Sequence, residues 1–363
     1  MNVAILGAGH GGTAMAAHLM LNGHSVRLYD KYPDVLRPIR EAGFIRVTGV
    51  IGEGEYRPDL VSDSLEDAVT GAEAVMVVTP AFAHGEIAEN VAPHLEDDQV
   101  IVLHPGRTGG ALEFRRIIRE MGCARRVYVA EAGTLLYACR KMGPTEVRVM
   151  GVKQKVRLAA LPSTDTAHVL GVIGRLFPQF AGARNVLETS LMNIGAVFHP
   201  APTLLNMGRI EETLGDFLYY HQGITRGVAR IVERVDGERV DVARALGVEV
   251  VPAREWLAEA YGVGGDTLYE RIQNNAAYSG VKAPGNMNVR YITEDVPTGL
   301  VPLSSLGRVA GVKTPVMDAL IDLASALHDR DYRATGRNET TLGIRGLTPA
   351  GLQRFVDETA VWI

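Results

Sequence analysis

The first chemical signal is Gly7-Ala8-Gly9-His10-Gly11-Gly12, which satisfies G-x-G-x-x-G with glycines 7, 9 and 12. It follows the apolar run Val3-Ala4-Ile5-Leu6 and opens a helical pattern over 11–22. Ser25-Val26-Arg27-Leu28-Tyr29 comes next and ends on Asp30. A lone hexapeptide of this kind is weak evidence. Set between strand and helix, with an acid about 20 residues further on, it reads as a dinucleotide site. Gly7 permits the tight turn, Gly9 lets backbone approach a pyrophosphate, and Gly12 lets helix and strand pack closely. The helix N-terminus offers N–H groups and partial positive charge to phosphates, with His10 and Gly11 in the same contact loop. Asp30 is suited to the adenosine ribose hydroxyls and repels a 2′-phosphate, favouring NAD(H) over NADP(H). Lys31 and Arg27 beside it keep NADP(H) open.

A nicotinamide enzyme also needs a group that moves a proton while hydride moves. Of the ten histidines, His18, His24, His94 and His168 fall on helices or turns and read as packing or surface residues. His199, in Ser190-Leu191-Met192-Asn193-Ile194-Gly195-Ala196-Val197-Phe198-His199-Pro200, lies near the start of a different region. Spacing alone leaves it open between a satisfied core histidine and an acid–base group. Cys123 and Cys139 have no metal-ligand spacing, so neither a metal nor a disulfide scaffold is expected. A reducing cytoplasm suits them.

The elements that must position these groups alternate. Strand-like runs at 74–79, 99–103 and 127–130 are separated by helical patterns near 33–42, 64–71, 82–95 and 110–121. That alternation predicts βαβ units and a parallel, doubly wound sheet. Ligands of such sheets bind at the carboxyl edge of the strands. Thr79 and Pro80 leave one strand there, and Leu103-His104-Pro105-Gly106-Arg107-Thr108-Gly109-Gly110 leaves another. Backbone near Thr79, Pro80 and Pro105 is placed to flank a nicotinamide ribose, and Arg107 or Thr108 to meet a substrate carboxylate. The prolines equally serve to reverse the chain.

Residues 133–160 read as strands extending the sheet, and 165–176 as a helix. After about residue 187 the pattern is nearly all helical. Val228, Ile231, Val232, Val235, Val242 and Leu246 form one stripe, closed by Gly247. Thr314 reads as an N-cap before Pro315, with Val316, Ala319, Leu320, Leu323, Ala324 and Leu327 as a second stripe. The fold class is therefore α/β. A Rossmann domain with a doubly wound parallel sheet over 1–187 precedes an all-helical domain over 188–363, a two-domain reading that suits 363 residues. The long stripes suggest a homodimer through the helical part. Net charge of −5 without a basic run argues against nucleic acid or anionic membrane as partner. No transmembrane helix and no signal peptide are expected.

Three segments together resemble the octopine/nopaline (opine) dehydrogenase family. They are residues 103–114 (LHPGRTGGALEF), the His199 segment continued through Ala201-Pro202-Thr203-Leu204-Leu205-Asn206, and residues 291–302 (YITEDVPTGLVP). The similarity runs over essentially the whole chain and is greatest to the bacterial members acting on amino acids. The resemblance implies an N-terminal dinucleotide domain and a helical domain supplying a His–Asp pair, here His199 and Asp295. It implies condensation of an amino acid with a 2-oxo acid and reduction of the imine by NAD(P)H to a secondary amine dicarboxylate.

An ionised Asp295 would fix the tautomer of His199 and favour its protonated form for general acid–base work. Locally, Asp295 also reads as a helix N-cap before Val296-Pro297. A product with two carboxylates needs cationic or hydrogen-bonding partners. Arg107, Arg140 and Arg290, with Thr134, are the candidates in or beside family-like segments. Three rivals stay in view: another two-domain 2-hydroxy- or 2-oxo-acid dehydrogenase, a metal-dependent dehydrogenase, for which the sequence offers no ligand cluster, and a non-catalytic NAD(H) sensor. Ketopantoate reductases and glycerol-3-phosphate dehydrogenases use a lysine of the helical domain as acid, yet no lysine occurs between Lys155 and Lys282.

Overall fold

The computed structural model describes residues 1–358. They form two compact units, Met1–Ser190 with 354–358, and Leu191–Gln353. The division therefore departs from 1–187 and 188–363 at both ends. The Asp357 carboxylate accepts from Asn185 Nδ2 at 2.7 Å and from Ser163 Oγ at 3.3 Å, which ties the last described residues to the first unit.

Twelve strands run in chain order: β1 (Asn2–Leu6), β2 (Ser25–Tyr29), β3 (Ile45–Gly49), β4 (Gly54–Tyr56), β5 (Leu60–Ser62), β6 (Ala74–Val77), β7 (Val100–Leu103), β8 (Tyr128–Ala132), β9 (Tyr137–Lys141), β10 (Glu146–Val152), β11 (Val156–Leu161) and β12 (Phe180–Gly182). Eight form one sheet in the order β12-β11-β8-β7-β6-β1-β2-β5. From β8 to β5 all neighbours are parallel, and β11 joins β8 antiparallel. β6 and β7 are four-residue apolar runs buried throughout, as strands covered on both faces must be.

The sequence places 133–160 as extensions of this sheet. Only β11 is one. β9 and β10 instead join β3 and β4 in a second sheet, ordered β4-β3-β10-β9. That sheet packs on α1 (His10–Leu21), which explains the helix's composition. Gly12, Ala14, Ala16 and Ala17 are all buried, because α1 lies between two sheets and has little outer face left for polar residues.

In the second unit the helix Arg226–Ala245 buries Val232, Val235 and Val242, with Leu246 just beyond it, while Val228 and Ile231 are half-buried. The same face carries a buried ion pair: Arg239 donates to Asp236 Oδ1 at 2.6 and 2.9 Å. In Pro315–His328 the buried face is Met317, Leu320, Ile321 and Ala324, so the expected stripe is rotated and Leu323 stays 45% exposed. Nor does the Thr314 hydroxyl cap this helix. The Glu238 carboxylate does, accepting from Val316 and Met317 N–H at 2.8 and 2.9 Å.

Candidate active site

At Gly7 and Gly12 the glycine loop is fixed by contacts that admit no side chain. Gly7 has φ +112° and donates its N–H to Tyr29 O at 2.8 Å. A Cβ on Gly12 would stand 1.7 Å from Gly7 O, whereas a Cβ on Gly9 would meet nothing within 4 Å. Close packing at Gly12 and open space before Gly9 are the two features a diphosphate cradle requires. Gly11 packs against Val78 and Leu135. Asp30 Oδ2 accepts from Ala8 N–H at 2.8 Å and Oδ1 from Tyr32 N–H at 3.0 Å, so the acid anchors the loop. Each oxygen keeps a further acceptor site for a ribose hydroxyl.

Beside Asp30 lies a cleft of about 310 Å³ lined by Gly7, Tyr32, Thr79, Pro80 and Phe82. Thr79 Oγ1 is buried there without a hydrogen-bond partner among the described residues. The cradle, the orphaned hydroxyl and the acid all fit a dinucleotide. The two basic residues that left NADP(H) open are engaged elsewhere. Lys31 Nζ pairs with Glu86 at 2.8 Å, and Arg27 donates to the carbonyls of Asp67 and Thr70.

His10 is exposed, and its Nδ1 accepts from Lys141 N–H at 3.2 Å. β9 therefore crosses the mouth of the loop, and its alternation sorts its side chains. Tyr137 meets His18 on α1, Cys139 Sγ donates to His10 O at 3.4 Å, and Lys141 Nζ reaches Ala8 O at 3.4 Å. Arg140 lies between them and so faces the other way, exposed and paired in register with Arg148. It does not share the loop's side. Lys141 does, and the sequence reading missed it for want of the strand's register.

At the exit of β7, burial pushes His104 down to about 3, so it is a neutral packing ring against Phe180, with Nε2 3.2 Å from Met76 Sδ. Pro105 follows through a cis bond, and Arg107 has φ +59°. Thr108 is fully buried, and its hydroxyl donates to Ser190 O at 3.1 Å. It ties the turn and presents nothing to a substrate, contrary to the sequence expectation. Buried Glu131, at the end of β8, accepts from Ala111 N–H at 2.8 Å, Thr189 Oγ1 at 2.6 Å and Ser190 Oγ at 3.0 Å. The N-terminus of the helix Gly110–Glu120 is thereby occupied by the protein's own carboxylate. Thr134, just beyond β8, accepts from Lys153 Nζ at 2.5 Å. Lys153 is a second residue that sequence reasoning passed over.

In the second unit, His199 is the joint between two short helices, Gly195–Phe198 and Pro200–Leu205. Its carbonyl accepts from Thr203 Oγ1 at 2.7 Å and Tyr219 Oη at 2.9 Å. Tyr291 stacks on its ring with centroids 4.3 Å apart and planes at 20°. Asp295 precedes a π-helical turn, Val296–Leu300, which its side chain does not cap. Its Oδ2 lies 2.7 Å from His199 Nδ1 instead. An ionised Asp295 makes Nδ1 the protonated nitrogen and leaves Nε2 to exchange a proton. Burial holds the Tyr219 and Tyr291 phenols well above and above their usual range, respectively, so both rings stay neutral beside the imidazole. Arg290 donates through Nε and Nη2 to buried Glu294, at 2.6 and 2.5 Å, and with its side chain 60% exposed it keeps Nη1 for a further anion.

Residues 182–328 match the NAD/NADP octopine/nopaline dehydrogenase alpha-helical domain. Residues 2–106 match the N-terminus of NAD-dependent glycerol-3-phosphate dehydrogenase. The chain is 44% identical to the opine dehydrogenase of Arthrobacter sp. (strain 1C) over 98% of both chains. It is 26% identical to the octopine dehydrogenase of Pecten maximus, over 93% of this chain and 92% of that one. A solved octopine dehydrogenase with NADH and L-arginine superposes with a TM-score of 0.82 at 25% identity, covering 97% of this chain and 98% of that one.

Proposed function

The chain belongs to the octopine/nopaline (opine) dehydrogenase family, and from that premise we propose that it joins the α-amine of an amino acid to a 2-oxo acid by reductive condensation, and reverses the reaction. It is an NAD(P)-dependent oxidoreductase. The observation that carries the reading is the 2.7 Å contact between His199 Nδ1 and Asp295 Oδ2, which leaves a proton-exchanging nitrogen fixed in place. The test is a grid of amino acids against 2-oxo acids, following NADH loss and weighing the products. Loss of NADH with a product heavier by the condensed partner is expected. A protein that binds NADH and consumes it with no pair sinks the reading.

In the first unit the glycine loop and Asp30 hold the cofactor, with Thr79, Pro80 and Pro105 at the sheet edge beyond. Bound there, NADH supplies hydride to the substrate carbon. In the second unit His199 moves the protons. Nε2 takes a proton from the ammonium of the amino acid so that the amine can attack the oxo carbon. After attack the nitrogen passes a second proton to the oxo oxygen, which becomes a hydroxyl, and Nε2 returns its own proton as that hydroxyl leaves as water and the protonated imine forms. Asp295 is a positioning residue. It holds Nδ1, and its charge stabilises the imidazolium between the two transfers. Tyr291 covers one face of the ring and restricts its tilt. Arg107 and Thr134 are the side chains assigned to substrate in the first unit.

Relatives of this chain have been solved with L-arginine, agmatine and pyruvate, which makes an amino acid and a small 2-oxo acid the natural pair to try first. A two-fold homodimer is the proposed assembly, with Leu323 on the outer side of Pro315–His328 as a residue such a contact would cover. Light scattering tests it. Two unpaired cysteines, Cys123 and Cys139, support placement in the cytoplasm. Among the described residues no helix is long and apolar enough to cross a membrane.

A further inference from the structure

We propose that Lys153, with Arg107 and Thr134, forms the seat for the carboxylate of the 2-oxo acid, a role that rests on the condensation reading above. The sheet topology brings the three together. β7 and β8 are parallel and end at the carboxyl edge, where Arg107 and Thr134 follow them. β11 runs antiparallel to β8, so it begins at that same edge, and Lys153 lies in the turn that leads into it. Lys153 Nζ stands 2.5 Å from Thr134 Oγ1 and is close enough to Arg107 to feel its charge.

The position relative to the cofactor follows from the strand order. Asp30 closes β2, the glycine loop follows β1, and β6, β7 and β8 continue on the other side. At roughly 4.8 Å per strand, β7 is about 10 Å beyond β1. A dinucleotide with its adenosine ribose at Asp30 and its diphosphate at the glycine loop would extend its nicotinamide half over β6 towards β7, and the reacting carbon would lie there. In a 2-oxo acid the carboxylate is bonded directly to that carbon, so whatever anchors it must lie at this end of the edge.

Lys153 meets the requirement where the other basic candidates do not. Arg140 faces away from the loop, Arg290 belongs to the second unit, and Lys141 reaches back to the glycine loop at Ala8 O. Lys31 and Lys282 have carboxylate partners in Glu86 and Asp216, but among the described residues no carboxylate pairs with Lys153. An ammonium has three donors, and Thr134 takes one. Although the residue as a whole is exposed, burial around its amine and the nearby Arg107 lower Lys153 to about 8. Two cations held together in this way are relieved by an anion between them.

The experiment measures binding of oxamate, an unreactive carboxylate of 2-oxo acid shape, to the full-length protein loaded with NADH, alongside KM values for both substrates. Lys153→Met should weaken oxamate and raise the 2-oxo acid KM about tenfold or more, the scale of one charge-assisted hydrogen bond. NADH affinity should stay within about twofold, and Lys153→Arg should recover most of the loss. Unchanged oxamate binding in Lys153→Met overturns the proposal, as does a Lys153→Arg no better than Met. So does a rise confined to the amino-acid KM. If oxamate binding depends on Lys153 while no substrate pair turns over, the seat stands and the condensation reading falls. If a pair turns over normally while oxamate binding is indifferent to Lys153, the condensation reading stands and the seat falls.

Discussion

Asp295 grips His199 from the more buried side: its side chain is 2% exposed against 21% for the imidazole, and Oδ2 stands 2.7 Å from Nδ1. The order matters. A carboxylate fixed in the packed interior sets the position of the ring, and the ring presents its remaining nitrogen outward. Tyr291 on the face and the Tyr219 and Thr203 hydroxyls on the His199 carbonyl restrict ring and backbone together.

Cofactor choice should follow Asp30. NADH is expected to bind more tightly than NADPH, because the carboxylate repels a 2′-phosphate and Lys31 is held by Glu86. Asp30→Ser should narrow the gap mainly by weakening NADH, since Asp30 also holds the Ala8 and Tyr32 N–H groups. Fluorescence titration with both nucleotides checks it. Tighter binding of NADPH by the unaltered protein would contradict this assignment.

Gly12 and Gly9 should differ in what the same methyl group costs the fold. Alanine in place of a helical glycine ordinarily stabilises by about 1 kcal/mol. At Gly12 the added Cβ would sit 1.7 Å from a backbone oxygen, so Gly12→Ala should cost about 3 kcal/mol or more and lose NADH binding. Gly9→Ala meets open space, so it should fold normally and lose NADH affinity alone. Thermal melts paired with NADH titration separate the two.

The contrast between these glycines and the lysines shows what a sequence makes legible. The dinucleotide loop is a local pattern, and all its parts lie within thirty residues. Lys141 and Arg140 are neighbours, and only the register of β9 tells which one faces the loop. That register depends on a second sheet whose β3 and β10 pair Arg46 with Glu146 across a hundred residues of chain. Its strands alternate buried and exposed residues, so each reads as a strand, but alternation does not say which distant strand it pairs with. Lys153 reaches the sheet edge only because β11 reverses direction. His199 and Asp295, 96 residues apart, are paired by the family resemblance of their segments and not by any spacing.

His104 should make the fold acid-sensitive. Burial lowers its folded value to about 3 against 6.5 for the exposed ring, so the unfolded chain binds the extra proton first. Its contribution to stability is complete above the unfolded value. It falls by about 1.4 kcal/mol for each pH unit between those limits as acid is added. Urea midpoints taken from pH 7 to pH 4 should decline more steeply in the wild type than in His104→Asn, which does not titrate in that range. Parallel slopes would mean the imidazole opens to water on acidification.

The sharpest expectation concerns the acid–base pair. His199→Ala should lower turnover about 10²-fold or more, the usual scale for losing a general acid–base group. NADH affinity should barely change, because the glycine loop and Asp30 do not depend on the ring. Asp295→Asn keeps the shape of the side chain and removes its charge, so the imidazolium that forms between proton transfers loses its counter-ion. Turnover should fall with little change in substrate KM, the pattern of an interaction that strengthens during the reaction. The double variant should be no slower than His199→Ala alone, because Asp295 acts only through the ring it holds. If the two losses instead multiply, Asp295 touches the substrate on its own account. If His199→Ala keeps near-normal turnover, the proton moves through another group, and Lys153 becomes the next residue to replace.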